Sequence, residues 1–202
     1  MIEAAVRLAA QGHYHQFRKR DRAADAPSSP GVPLPDDHIP YITHLMGTMT
    51  ILARYGASDE VLAAAALHDY LEDVPDPDGR GRIRKVTSEE VLELVLAVTE
   101  DKRPGRGRGE TWELRKQEQI AEIESMPRDA VLIKGSDVLH NLLSLDFDLS
   151  EASEPQLVWG RFNAPKEKQL WYFSSILDAV RLRLGDHQLT SELAEVIRLL
   201  RD

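Results

Sequence analysis

The densest concentration of reactive side chains is the hexapeptide His68-Asp69-Tyr70-Leu71-Glu72-Asp73, which follows the apolar run VLAAAAL. On a helix, residues four apart lie one above the other, so His68 would stack on Glu72 and Asp69 on Asp73. One helix edge would then carry an imidazole and three carboxylates directly after a stretch suited to burial. Charged groups in such a place need partners, and a divalent cation is one. His68 and Asp69 can reach the same ion, which leaves Glu72 and Asp73, a turn further on, to handle water. A mixed imidazole and carboxylate set suits Mn, Fe, Zn or a similar ion, with Mn or Fe favoured by the carboxylates. The chain has no cysteine, which excludes thiolate ligation and a disulfide framework.

Two further ligands are wanted, and two residues stand out. His44 lies in the otherwise apolar PYITHLMGTMTIL, facing inward. Taken alone, such a residue is more often a hydrogen-bonded core histidine. Asp137 lies in AVLIKGSDVLHNLLSL, where its alternative role is a helix N-cap or a partner for Lys134. Asn141 and Ser144 follow on about the same helix face and suit hydrogen bonds to a ligand's polar groups. His140 is off that face and reads as structural or exposed. A lone His-Asp pair is a weak motif. A His on one helix, His-Asp on the next and Asp on a late helix, each within an apolar run, is a much stronger pattern.

The elements that must hold these residues are helices. Apolar positions recur at helical intervals over residues 2–19, 39–55, 59–71, 112–123, 128–143, 165–184 and 190–200. A further helix is expected to start at Thr87, where Thr-Ser-Glu-Glu offers a cap and a Glu three residues on. Pro127 and Pro165 sit where a first helical turn accepts proline. No strand alternation and no internal repeat stands out. Residues 21–38, 74–85 and 101–109 read as loops rich in Pro, Gly, Asp or Arg, flanking the candidate chemistry. The expected fold is therefore all-α, a single helical-bundle domain over residues 1–202 with residues 21–38 as an inserted, mobile loop.

A length of 202 residues allows one good-sized domain or two very small ones. Hydrophobic content of 42% with 29% charged residues is ordinary for a soluble globular chain. No apolar run is long enough to cross a bilayer. The N-terminal basic cluster follows its apolar stretch instead of preceding it, so no signal peptide is expected and the cytoplasm is the expected location. The net charge of -9 argues against a DNA or RNA partner. A small phosphorylated substrate is compatible with it, because a local basic cluster can dominate a pocket. Such clusters occur at Arg18, Lys19, Arg20 and Arg22, at Arg80, Arg82, Arg84 and Lys85, and at Arg103, Arg106 and Arg108. The sequence leaves oligomeric state open.

The segments HYHQFRK, PYITH, DEVLAAAALHDYLEDV, VTEDKRPG, TWELRK, KGSDVLHNLLSL and RFNAPKEKQLWYF occur in that order. In this set the chain resembles the HD superfamily of metal phosphohydrolases, and more narrowly the hydrolase domain of RelA/SpoT-type enzymes and the stand-alone small alarmone hydrolases. The resemblance runs from about His13 to Trp171. It implies an HD-type helical bundle with His44, His68, Asp69 and Asp137 as ligands of Mn²⁺. It further implies that Glu72 and Asp73 activate and position water, while Arg18, Lys19, Asn141 and Ser144 contact a small nucleotide. The implied reaction is hydrolysis of the 3′-pyrophosphate of (p)ppGpp, releasing pyrophosphate and GDP or GTP. Alarmone synthesis is not expected.

Departures from the family pattern are His15 for Gly, Leu45 for Pro, Val138 for a basic residue, the bulky Tyr70, and the insertion at residues 21–38. None touches the presumed ligands, while Val138 and the insertion fall beside the presumed nucleotide pocket. The alternative substrate is another phosphorylated nucleotide, such as NADPH or ppApp. A catalytically silent nucleotide binder is a third reading, against which the intact Glu72-Asp73 pair argues.

Overall fold

Eleven helices are present among the described residues of the computed structural model, which are 1–18, 39–101 and 109–201. They are α1 (Ile2–Gly12), α2 (Ile42–Arg54), α3 (Asp59–Leu67), α4 (Tyr70–Asp73), α5 (Gly79–Val86) and α6 (Glu89–Val98). After these come α7 (Trp112–Glu122), α8 (Arg128–Glu151), α9 (Pro155–Trp159), α10 (Lys166–Leu184) and α11 (Gln188–Arg201). No sheet forms among these residues; Phe17 and Pro40 make one isolated antiparallel bridge. The all-α bundle is as expected. Lys19, residues 21–38 and Arg103, Arg106 and Arg108 lie outside the described residues.

The bundle is organised around α3 and α8. Ala63, Ala64, Ala65 and Ala66 are all fully buried, which makes α3 apolar on every side. A helix of that kind belongs inside a fold, and α3 packs against α1, α2, α6 and α8. Helix α8 crosses the molecule against α2, α3, α6, α9, α10 and α11. Its buried residues, among them Val131, Ile133, Val138 and Leu142, join the single apolar core. This arrangement brings α2, the end of α3, and the middle of α8 together.

Four of the expected helix boundaries differ as follows. Helix α1 ends at Gly12 instead of running to residue 19. There His13 is buried and stacked on Tyr41, with ring centroids 5.2 Å apart, and its Nδ1 lies 2.6 Å from Gln16 Oε1. The chain then pairs with residues 39–41, through Arg18 N–H to Ile39 O and Tyr41 N–H to Gln16 O. The helix expected over 59–71 is interrupted at His68 and Asp69, and α4 starts at Tyr70. Helix α6 is capped by Ser88, whose Oγ accepts the Val91 N–H, one residue later than expected. Helix α8 continues past residue 143 to Glu151.

Two helices arise where none was expected. Part of the 74–85 loop is α5, held by the fully buried Ile83. Its first residue, Gly79, packs so closely that a Cβ would stand 3.0 Å from Leu71 Cδ2. The glycines that made this segment read as a loop are there for close approach. Helix α9 is a short turn with Pro155 at its start. Tyr70, the bulky departure, is buried in the core and donates its hydroxyl proton to Asp76 Oδ2.

Candidate metal centre and its pocket

His44 comes from α2, His68 and Asp69 from the interruption between α3 and α4, and Asp137 from the middle of α8. His44 and His68 are buried, with 1% and 4% of their surface exposed. His44 Nε2 lies 3.1 Å from Asp137 Oδ1 and 3.7 Å from Asp69 Oδ2. His68 Nε2 lies 3.2 Å from Asp69 Oδ2 and 3.8 Å from Asp137 Oδ1. One ligand atom each from His44, His68 and Asp69 falls within 4.8 Å of the others. Four side chains separated by as many as 93 positions thus converge on one small volume.

Each is oriented by a neighbour. His68 Nδ1 donates to Ala65 O at 2.8 Å, which leaves the Nε2 lone pair directed at the cluster. That Nε2 is buried and has no hydrogen-bond partner. Tyr41 donates its hydroxyl proton to Asp69 Oδ2 at 2.6 Å. Asn141 Nδ2 donates to Asp137 Oδ1 at 2.8 Å, and Lys134 Nζ stands 3.5 Å from Asp137 Oδ2.

The electrostatics call for positive charge here. Burial opposes ionisation of Asp137, yet Lys134, His44 and His68 hold its carboxyl well below the usual carboxylate range. Asp69 is likewise lowered against its burial, chiefly by His68. Burial disfavours a charged His68, but Asp69 and Asp137 raise its pKa well above the ordinary value. In the metal-free protein a proton on His68 answers that demand. A divalent cation answers it with neutral imidazoles as ligands, and the partnerless Nε2 of His68 fits a metal donor.

The cluster lies on the wall of a cavity of about 800 Å³. Glu72 and Asp73 line the same cavity. Glu72 Oε1 accepts the backbone N–H of Glu100 at 2.7 Å, and Gln16 Nε2 donates to Asp73 O at 2.7 Å. Arg18 also reaches it, its Nη1 donating to Asn141 Oδ1 at 3.1 Å. Asn141 therefore bridges Arg18 and Asp137. Ser144 lines the cavity with its hydroxyl donated to His140 O. Of the expected substrate contacts, only Lys19 lies outside the described residues.

Several pocket residues were not foreseen. Of the two readings of His140, structural or exposed, the structure favours the first: it is half-buried, lines the cavity, and its Nδ1 lies 3.0 Å from His44 Nδ1. Burial, with His44 and Arg18 nearby, pushes its pKa down to about 4. A basic group comes from α7 and α8: Arg115, Lys116 and Lys134. Arg115, Lys116 and Gln119 all bond the Glu100 carboxylate, and Lys116 Nζ lies 4.7 Å from the Tyr172 ring centroid. Tyr41 and His140 stand inside the segments PYITH and KGSDVLHN, so their positions were visible while their roles were not. The α5 arginines face elsewhere, with Arg82 3.1 Å from Asp76 and Arg84 paired with Glu89, and they are not part of the cavity wall.

A model of the HD domain family matches residues 30–162. The chain belongs to the HD domain family. Among relatives of this HD domain is a probable GTP pyrophosphokinase of Mycobacterium leprae (strain TN), 33% identical over 156 residues, which are 73% of this chain and 16% of that protein. Another is a guanosine-3′,5′-bis(diphosphate) 3′-pyrophosphohydrolase of Haemophilus influenzae (strain ATCC 51907 / DSM 11121 / KW20 / Rd), 34% identical over 109 residues, 52% of this chain and 15% of that one. The HD domain thus spans about a sixth of the length of these two relatives.

Among solved structures, a metazoan ortholog of SpoT that hydrolyses ppGpp superimposes with a TM-score of 0.71 at 25% identity, over 98% of this chain and 94% of the other. A protein of Listeria monocytogenes EGD-e gives a TM-score of 0.67 at 28% identity, over 81% and 98%. The buried cluster and this kinship together support a metal-dependent nucleotide phosphohydrolase. No helix among the described residues is long and apolar enough to cross a membrane.

Proposed function

We propose that the chain is a cytoplasmic (p)ppGpp 3′-pyrophosphohydrolase that holds one Mn²⁺ ion through His44, His68, Asp69 and Asp137. The observation that carries this reading is the convergence of the two imidazoles and two carboxylates beside a cavity large enough for a nucleotide. That cavity is also lined by two more carboxylates, Glu72 and Asp73, and by a basic group, Arg115, Lys116 and Lys134, of which Lys134 stands beside Asp137. The bound cation supplies Lewis acidity toward water and the phosphoryl oxygens.

Glu72 and Asp73 accept the proton of the attacking water, the Glu100 N–H holding the Glu72 carboxylate in place. Water adds to the phosphorus nearest the 3′-oxygen, the bond between that phosphorus and the 3′-oxygen breaks, and the proton taken from water passes to the 3′-oxygen, so that pyrophosphate and GDP or GTP are the products. Arg18, Lys19, Asn141 and Ser144 bind the nucleotide. Arg18 and Asn141, already bonded to each other, present a guanidinium and an amide to it as one unit.

The test is hydrolysis of ppGpp by the purified protein with Mn²⁺, beside GTP, NADPH and ppApp, with Glu72→Ala as control. Release of pyrophosphate and GDP, lost in the variant, is the expected result. Turnover of NADPH or ppApp alone would transfer the function to another phosphorylated nucleotide. No turnover of any of the four would overturn the alarmone reading.

A further inference from the structure

We infer that His140 is a positioning residue for the metal site: it accepts the Nδ1–H of His44 and thereby leaves the His44 Nε2 lone pair for a cation held jointly with Asp69 and Asp137. The inference rests on the proposed role of His44 as a ligand. A neutral imidazole carries one N–H, and only the other nitrogen can bind a cation. His44 Nε2 is the atom that faces the carboxylates, 3.1 Å from Asp137 Oδ1. Its proton must therefore sit on Nδ1, which lies 3.0 Å from His140 Nδ1. With His44 as donor, His140 accepts on Nδ1 and keeps its own proton on Nε2. His68 meets the same requirement through a main-chain carbonyl, Ala65 O. The two imidazoles thus have clamps of different kinds, and the side-chain clamp can be removed by substitution without touching a ligand.

A second observation points the same way from the opposite helix. Gly47 lies on α2 three residues after His44, in the interior of a helix where glycine is otherwise unfavourable. A Cβ at Gly47 would overlap the His140 imidazole, at Cδ2 and Nε2. The absent side chain opens the space through which His140 leans from α8 onto His44. The two rings stand 5.0 Å apart between centroids at an angle of 57°. Gly47 and His140 form one device, a gap and the ring that fills it.

The experiment compares the full chain with His140→Phe, His140→Asn and Gly47→Ala. Mn²⁺ affinity is read by calorimetry, and the His44 Nδ1–H by its hydrogen-bonded proton resonance in the protein loaded with diamagnetic Zn²⁺. Phenylalanine keeps the ring and removes the acceptor, so affinity is expected to fall by about 10- to 100-fold, as for other groups that orient metal ligands. The hydrogen-bonded His44 Nδ1–H resonance is then expected to be lost. Asparagine, which can place an oxygen where Nδ1 stood, is expected to restore most of the affinity. Gly47→Ala is expected to weaken binding while leaving helical content intact, and it carries the test if His140→Phe does not fold. Unchanged affinity and an unchanged His44 Nδ1–H resonance in Phe and Ala variants would overturn the inference and leave the metal reading standing. No Mn²⁺ binding by the unaltered protein would overturn both.

Discussion

Asp69 and Asp137 each bring an oxygen within 4 Å of both histidine Nε2 atoms, so both carboxylates act on the same small volume. Removing either charge leaves the other with two imidazoles and less attraction for a cation. Asp137→Ala is therefore expected to abolish measurable Mn²⁺ binding together with hydrolysis. Glu72 has a different place, on α4 with its carboxylate fixed by the Glu100 N–H. Glu72→Ala is expected to keep Mn²⁺ affinity and lower kcat by about 10²- to 10⁴-fold, the size of a lost general base. Calorimetry and steady-state kinetics on the two variants separate these roles. Near-normal turnover in Glu72→Ala would remove it from the proton-accepting pair.

The α3 to α4 interruption is the element on which the site depends. A continuous helix would have stacked His68 on Glu72 along one edge. Instead, Asp69 sits at φ -96° and ψ 0°, and regular helix gives way to a turn at His68 and Asp69 before α4 begins. The short α4 is held from outside by α1. Gly12, the last residue of α1, abuts Tyr70, and a Cβ there would also stand 2.9 Å from Val74 Cγ2. Tyr70 is buried and cannot swing aside. Gly12→Ala is expected to destabilise the protein by about 1–3 kcal/mol through overpacking, although alanine is the better helix former. A urea midpoint equal to or above that of the unaltered chain would show that α1 does not brace α4 in this way.

At the scale of the whole molecule, the buried histidines couple folding to pH. His13 is 2% exposed; burial lowers its pKa, with the Gln16 hydrogen bond acting the other way. In the unfolded chain it titrates near the ordinary value of about 6.5. As pH falls below that value the unfolded state takes up a proton that the folded state resists, so His13 contributes a loss of stability toward acid. His140, pushed down to about 4, acts in the same direction between about 6.5 and 4. His68 acts in the opposite direction in the metal-free protein, since its folded pKa is raised. The sign for His13 is therefore best read by difference. Denaturation free energies from pH 7.5 down to about 5 are expected to fall less steeply for metal-free His13→Gln than for the unaltered chain. Parallel curves would mean that His13 titrates alike in both states.

Local order in the sequence was enough for the class of fold and for picking out the residues of the candidate cluster. Apolar spacing in seven segments and a capping signal at Thr87 marked eight of the eleven helices in outline, and the fully apolar VLAAAAL run marked α3 as interior. His44, His68, Asp69 and Asp137 could be singled out because polar groups in apolar helices need partners. The sequence could not supply what depends on contacts between distant elements. The end of α1 at Gly12 is set by Tyr41 and Tyr70, and the formation of α5 by burial of Ile83. Tyr41, Lys134 and His140 acquire their places only when α2, α4 and α8 meet. Arg115 and Lys116 reach the cavity because Glu100, just past the end of α6, holds them there. Periodicity reports which face of a helix is buried; only the packed bundle decides which side chains from separate helices share a hydrogen bond.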